Sequence, residues 1–598
     1  MSICITFPNI NVLAEIRTDS AVKFYVAPHG DDSAEGTIDS PLETMEGARN
    51  KVREYKNAYG YPDGGITVYF RGGKYQVTQK TDFEEQDSGT DEYPVIYRAY
   101  ENEKPVFTGG SYIKGSDFKK VTDESVLSRF VSEDAKKNVL CYDLKANGIT
   151  DYGIIPDSWG TQKNGLHNQF GMKMPAMGVY VDDEAFRLAR YPNLNDDCDK
   201  GWLFVSSVIN SGPAWEWYTG RTPEFTYTDT ELEKWSSYDD IHLAGILNWP
   251  YFYDDVKVRA IDKNLKKITL NDSTYSGAAK NGKYYLYNIF DELDDPGEYY
   301  IDRTNGILYL YPTENFNNAE IGLATYAEQL MIECKDLSYC IFEGLIFELT
   351  RGSVARVVGG DSVRFSRDTF RNIGIRAIWL GDNHVADGAV DRAPDLEGEL
   401  AKCYDNAANG VNHSVTSCKM YNLGYGGIKM TGGDIYHIQS ANFSVENCEI
   451  HDFGQYQWGY DQGINYFGRG FRIRNNKLYN APMGGMQGQA MDVLIEYNEL
   501  YNVARYTTDA GAIYTNYTWP THDLYIRYNY IHDIPETNLP KEHYSWDSGV
   551  AHRCAIYTDT ELFSPHIYGN VFANCPIGYY HSGITERVEN NVFIDCHK

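Results

Sequence analysis

The chain of 598 residues is short of cations, of paired cysteines and of long apolar runs, and each shortage closes off a class of function. Lys and Arg number 54 against 84 Asp and Glu, a formal net charge of −30. Nucleic acid and anionic membranes are bound through clustered Lys and Arg, so neither is expected as a partner, and a polyanionic substrate is disfavoured. The eleven cysteines are scattered with no CxxC pair, which argues against a zinc ribbon or a dithiol redox motif. They read as small buried hydrophobes. No DxDxD acid cluster is present, so no metal site and no cofactor is assigned. No apolar run reaches the ~20 residues needed to span a bilayer. The opening MSICITFPNINVLAEI lacks a basic n-region, yet VLA before Glu15 has the small-residue character of a cleavage site. The expectation is a secreted or cell-surface protein with residues 1–20 as a tail, a cytoplasmic location being left open. Oligomeric state is not legible.

What is abundant is Tyr, at 50 residues, and Gly, at 54. With few helical periodic runs, this composition favours β-structure. The second half repeats itself: SVTSCKMYNLG, SVENCEIHDFG, RIRNNKLYNAP, LIEYNELYNVA, YIRYNYIHDIP, IYGNVFANCP and RVENNVFIDC. Each copy is an alternating apolar run, then a central Asn or Cys, at Cys418, Cys448, Asn476, Asn498, Asn529, Asn570 and Asn591. Self-similarity at this period marks a solenoid, and period-2 alternation makes its units strands. An Asn column can hydrogen-bond along such a stack at a corner. The reading is all-β: a right-handed parallel β-helix, begun by residues 21–170 with a capping helix from about Pro41 and continued by residues 331–598. Between them, residues 171–330 lose the repeat. GVYVDDEAFRLARYPN, KVRAIDKNLKKITLND and GEYYIDRTNGILYLYPT read as antiparallel hairpins of an inserted β-sandwich-like unit.

The strands before the Asn column align as GIKMT, GINYF, GMQGQ, AIYTN and AIYTD. Their third residues, Lys429, Asn465, Gln487, Tyr514 and Tyr557, face outward together, as do Gln489, Asn516 and Asp559 at the fifth. Asp509 enters this face from the preceding turn. Loops add Gln455, Trp458, Asp461, Trp519, Trp546 and His552. Amides and aromatics beside carboxylates suit a sugar groove, and two converging carboxylates suit glycosidic cleavage. The expectation is one continuous outer face with Asp509 at its centre. Asp509 and Asp559 are the expected catalytic pair, with Asp547, Asp461 and Glu561 in reserve.

TTDAGAIYTNYTWPTHDLYIRYNYIHDI, AIYTDTELFSPHIYGNVF and YYHSGITERVENNVFIDC, with YVAPHGDDSAEGTIDSPLETMEGAR near the start, resemble the parallel β-helix proteins of carbohydrate degradation. The resemblance is closest to glycoside hydrolase family 141 and its relatives, and more distant to families 120 and 136. It implies a glycosidase with two catalytic carboxylates acting on an oligo- or polysaccharide, and family 120 also implies an inserted β-sandwich. Asp509 matches the Asp of the family's DAGAIYTG motif, and Asp559 an acid of a later LDD-like motif, here YTD. The chain departs in reading NYTW at 516–519 where relatives continue GRDW, and Thr558 replaces one acid of the later pair. A polysaccharide lyase using Lys429, Arg505 or Arg553 as base, and a non-catalytic carbohydrate-binding solenoid, are the alternatives.

Overall fold

A computed structural model describes residues 21–160, 174–212, 222–274, 276–381, 405–435, 437–515, 522–539, 552–559, 564–582 and 584–597. The chain folds as a right-handed parallel β-helix with an inserted antiparallel unit. One face of the solenoid is an eleven-stranded parallel sheet, running from Gly73–Gln76 and Pro105–Thr108 to Val571–Ala573 and Val592–Ile594. The other two faces share a 21-stranded sheet. They are continuous because Ile464–Arg474 and Met486–Glu496 run from one face into the next. The first of these strands bends at Gly468, whose φ is 113°. A Cβ there would meet the Gly432 carbonyl oxygen at 2.1 Å, so only glycine fits.

The interior follows from like stacking on like. Val445, Ile473, Ile495, Ile526 and Ile567 pair rung by rung on one wall. Met420, Ile450, Leu478, Leu500, Ile531 and Phe572 do the same on another. All belong to one buried core. Each fully buried aliphatic or aromatic side chain contributes roughly 1.5–3 kcal/mol, so the core grows by repetition rather than by closure.

The corner between two faces is held by the Asn column. The Oδ1 of Asn498, Asn529, Asn570 and Asn591 accepts the main-chain N–H of the Asn one rung earlier at 2.9–3.0 Å. It also accepts that residue's side-chain amide at 2.9–3.0 Å. Asn476 closes the column onto the Cys448 N–H at 2.9 Å. Every buried polar group there is thereby satisfied. The residue before each column member is left-handed, including Asn475, Tyr497, Tyr528 and Asn590. The turn is thus built at a conformation that only the stacked context over-determines.

The first rungs are capped by the helix Met45–Tyr59, whose Met45, Ala48 and Val52 sit in the solenoid core. Thr44 caps it, its hydroxyl accepting from the Gly47 N–H and donating to Asp32.

The hairpins read between 171 and 330 are present: Glu298–Asp302 pairs with Ile307–Leu310, and Asp254–Asp262 with Lys267–Leu270. The antiparallel pairing starts further upstream than the expected boundary, at Gly110. Gly110–Lys114 pairs with Glu320–Ala324, and Leu140–Asp143 with Ile307–Leu310. Local alternation is the same in a solenoid strand and in an antiparallel one, and these partners lie far off in the chain, so the boundary has no local signal.

Replacing Asn529 by Ala strips the acceptor from two buried donors of Asn498. At ~1–3 kcal/mol for each unsatisfied group, the expected loss is about 3 kcal/mol or more, read as a drop in the denaturant midpoint.

Candidate active site

Each strand of the candidate face begins small because the corner is crowded. A Cβ on Gly426 would lie 2.0 Å from the Gln462 carbonyl oxygen, and one on Gly484 2.2 Å from that of Gly511. After the corner comes an inward residue, in the column Ile428, Ile464, Met486, Ile513 and Ile556, and then an outward one. The outward column reads Trp379, Lys429, Asn465, Gln487, Tyr514, Tyr557 and Tyr580. Its register is the one read from the sequence.

The expected open face is not realised along this column, in which Tyr580 is half-buried and the other residues are buried. Lys429, Asn465 and Gln487 point away from the solenoid core, yet they are 2%, 0% and 5% exposed. Asn465 accepts from Arg376 Nη1 at 3.3 Å and donates to Gln462 Oε1 at 2.9 Å. Arg376 also pairs with Asp461, which gives that reserve acid a structural partner. The Lys429 ammonium lies 5.0 Å from the Phe467 ring centre and 5.8 Å from that of Trp379. Alternation along a strand separates the inside of the solenoid from its outside; it does not say that the outside is wet. Here Gln462 and Arg376 pack against Asn465, and Phe252 of the inserted unit packs 6.4 Å from Tyr460 in the same loop as Gln462. Trp458, expected at the groove, is likewise buried and stacks on Tyr253 at 4.3 Å. Gln489 is half-buried, and it pairs in register with Phe467.

The Tyr514–Tyr557 end carries the two carboxylates: both rings are buried, while Asp509 and Asp559 are half-buried. Asp509, left-handed at φ 57°, precedes the strand Ala510–Thr515. Asp559 follows the neighbouring strand Arg553–Thr558, its N–H donating to the Thr515 carbonyl at 2.9 Å. The two carboxylates therefore sit at opposite ends of a strand pair and are held crosswise. Tyr514 of the first strand donates its hydroxyl to Asp559 Oδ2 at 2.9 Å. Tyr557 of the second donates to Asp509 Oδ1 at 3.0 Å. The two rings meet edge to face at 5.2 Å.

Ser582 adds a second hydroxyl donor to Asp559 at 3.0 Å, and His552 Nδ1 lies 3.6 Å from Asp509 Oδ1. Burial, and then the charges of both aspartates, push the Tyr514 and Tyr557 hydroxyls far above the usual phenol range. These tyrosines stay protonated and act as standing donors. Burial, Asp509, Cys554 and Asp559 raise Tyr580 as well.

Tyr580, Ser582 and Glu586 escaped the sequence reading. Tyr580 is the next outward residue after Tyr557, but its strand, IGYYH, no longer resembles AIYTD. Glu586 accepts from Thr558 Oγ1 at 2.7 Å and from Tyr579. Asn516, Trp519, Trp546, Asp547 and Glu561 lie outside the described residues. Of the cations considered as bases, Arg553 is 1% exposed and donates to the carbonyls of Thr507 and Pro535. Arg505 donates to the Asp196 carbonyl at 3.2 Å. Among the described residues no group of three or more His, Cys, Asp or Glu is arranged to hold a metal ion.

A separate cavity of about 290 Å³ opens between the inserted unit and the solenoid. Tyr253, Asp255, Tyr285 and Trp458 line it, but Asp509 and Asp559 do not.

No protein-family model matches the chain. A solved structure titled "Glycoside hydrolase" aligns over 96% of both chains with a TM-score of 0.66 at 15% identity, which shows a shared fold. A structure of XylC with xylose aligns over 94% of this chain and 70% of that one, with a TM-score of 0.46 at 11% identity. Among curated proteins, pectate lyase PEL9 of Emericella nidulans is 36% identical over 89 residues, 15% of this chain and 19% of that protein. The uncharacterized protein YwoF of Bacillus subtilis is 37% identical over 87 residues, 14% of this chain and 16% of that protein. The alignments therefore span less than a fifth of either curated relative.

A double-mutant cycle tests the crossed pairing. Tyr514→Phe with Asp559→Asn, and Tyr557→Phe with Asp509→Asn, are each expected to show a coupling of about 1 kcal/mol or more, the scale of a hydrogen bond to a charged group. Tyr514 with Asp509 is expected to couple less.

Proposed function

We propose that the protein is a glycosidase that cleaves an oligo- or polysaccharide with Asp509 and Asp559 as its two carboxylates, akin to family 141 and its relatives. The observation that carries the reading is the crosswise hydrogen bonding of the two aspartates by Tyr514 and Tyr557. Two partly exposed carboxylates are held at fixed positions on adjacent rungs by donors that do not ionise in the working range.

Asp559, whose two oxygens are held by the Tyr514 and Ser582 hydroxyls, is assigned the role of base or nucleophile. Asp509 is assigned the complementary role of acid, giving its proton to the glycosidic oxygen as the C–O bond breaks. Asp559 then either takes a proton from the attacking water or itself bonds to the anomeric carbon. The Gln487 amide oxygen is buried without a hydrogen-bond partner among the described residues, and it is in register with Tyr514. A polymeric substrate of this kind fits a secreted or cell-surface location.

A polysaccharide lyase is the second reading, and the short stretch of likeness to pectate lyase PEL9 favours it. The burial and engagement of Lys429 and Arg553 weigh against it, because a lyase base must reach the sugar's C–H bond.

On a panel of glycans the reading expects new reducing ends without the ultraviolet absorbance of an unsaturated uronate. Asp509→Asn and Asp559→Asn are each expected to lower kcat about 10²–10⁴-fold with little change in thermal stability. Unsaturated product would establish the lyase, and near-native turnover in both variants would refute this pair.

A further inference from the structure

The cavity between the inserted unit and the solenoid takes no part in the chemistry above, yet it has the construction of a ligand site. Its volume, about 290 Å³, falls near the lower end of small-molecule pockets, which run ~300–1,000 Å³. Its floor is rigid. Tyr253 and Tyr287 both donate their hydroxyls to Asp255, at 2.9 Å and 2.8 Å, and Trp458 stacks on Tyr253. Asp255 itself is 2% exposed. Towards the mouth stand the half-buried Tyr285 and Gln455.

We infer that this cavity is a subsite for an uncharged sugar unit, engaged by a part of the glycan remote from the bond that is cut. Aromatic walls with a few fixed hydrogen-bonding groups suit a pyranose, whose faces are apolar and whose rim carries hydroxyls. The electrostatics select against acidic sugars. The guanidinium of Arg190 already donates to the carbonyls of Pro192 and Gly201 at 2.9 Å and packs 3.6 Å from the Tyr285 ring centre. Arg187 is paired with Asp295, while Asp255 and Asp452 both line the cavity. A uronate carboxylate would meet two acids and three arginines that each already bond elsewhere, Arg505 to the Asp196 carbonyl at 3.2 Å.

The chain also ties the cavity to the carboxylates. Arg505 and Tyr506 line it, and Asp509 follows three residues after Tyr506, a span of at most ~11 Å. One oligosaccharide can therefore occupy both places. Lys283, from the inserted unit, fixes this connecting segment by donating to the Tyr506 carbonyl at 2.6 Å. The glycan's identity rests on the glycosidase reading; the binding itself does not.

The test is a titration of the full-length protein with glucose, galactose, xylose, mannose and N-acetylglucosamine, with galacturonate as the charged control. It is read by tryptophan fluorescence, since Trp458 borders the cavity, and by calorimetry. It is run on Asp509→Asn and Asp559→Asn proteins, so that loss of catalysis does not bear on the outcome. Saturable binding of at least one neutral sugar is expected, weakened ten-fold or more by Gln455→Ala or Tyr285→Ala and not reproduced by galacturonate. Binding unaffected by either cavity variant, preferred binding of galacturonate, or no saturable signal with any sugar would overturn the inference. None of these results bears on the role of the two aspartates, which turnover alone decides.

Discussion

The structure depends on one constraint: each rung must hydrogen-bond to the next in a register that stacks identical chemistry at ~4.8 Å intervals. The Asn column makes that register specific, because each amide both accepts from the rung before it and donates to a strand carbonyl. A slip by one residue would turn the Ile column out of the core and the Tyr column into it. Fold and candidate site are thus two readings of a single register, and the site cannot drift while the corner holds.

The same constraint explains how two carboxylates distant in sequence are both tied to one tyrosine pair. Asp509 and Asp559 are not placed by flexible loops alone. Each abuts an end of a strand whose neighbour carries the tyrosine that holds it. Because the phenols are buried beside the aspartates, burial and negative charge both act to keep their protons on. The inserted unit adds what the solenoid lacks, a wall. Its Tyr253 stacks on Trp458, and its Phe252 packs near Tyr460.

The parallel β-helix, its Asn corner and the pairing of Tyr514 with Tyr557 were legible in the sequence, because repetition at fixed offsets is itself the physical rule of a solenoid. Burial of the outward column was not legible. Asn465 and Tyr557 occupy equivalent outward positions in the repeat and both are buried, Asn465 by Arg376 and Gln462, which are brought in by tertiary contact. The true start of the antiparallel pairing at Gly110 was hidden for a similar reason, its partner strand being Glu320–Ala324. Tyr580 was missed because the final rungs keep the pattern of alternation but change the letters.

The central claim is that Asp509 and Asp559 address one glycosidic bond from adjacent rungs. The most direct measurement is a crystal structure of the Asp509→Asn protein with an uncleaved oligosaccharide bound. The account predicts the glycosidic oxygen within hydrogen-bond reach of residue 509, ~2.6–3.2 Å, and the anomeric carbon facing Asp559 directly or through one water. A saccharide bound productively elsewhere, with neither residue near the scissile bond, would contradict it.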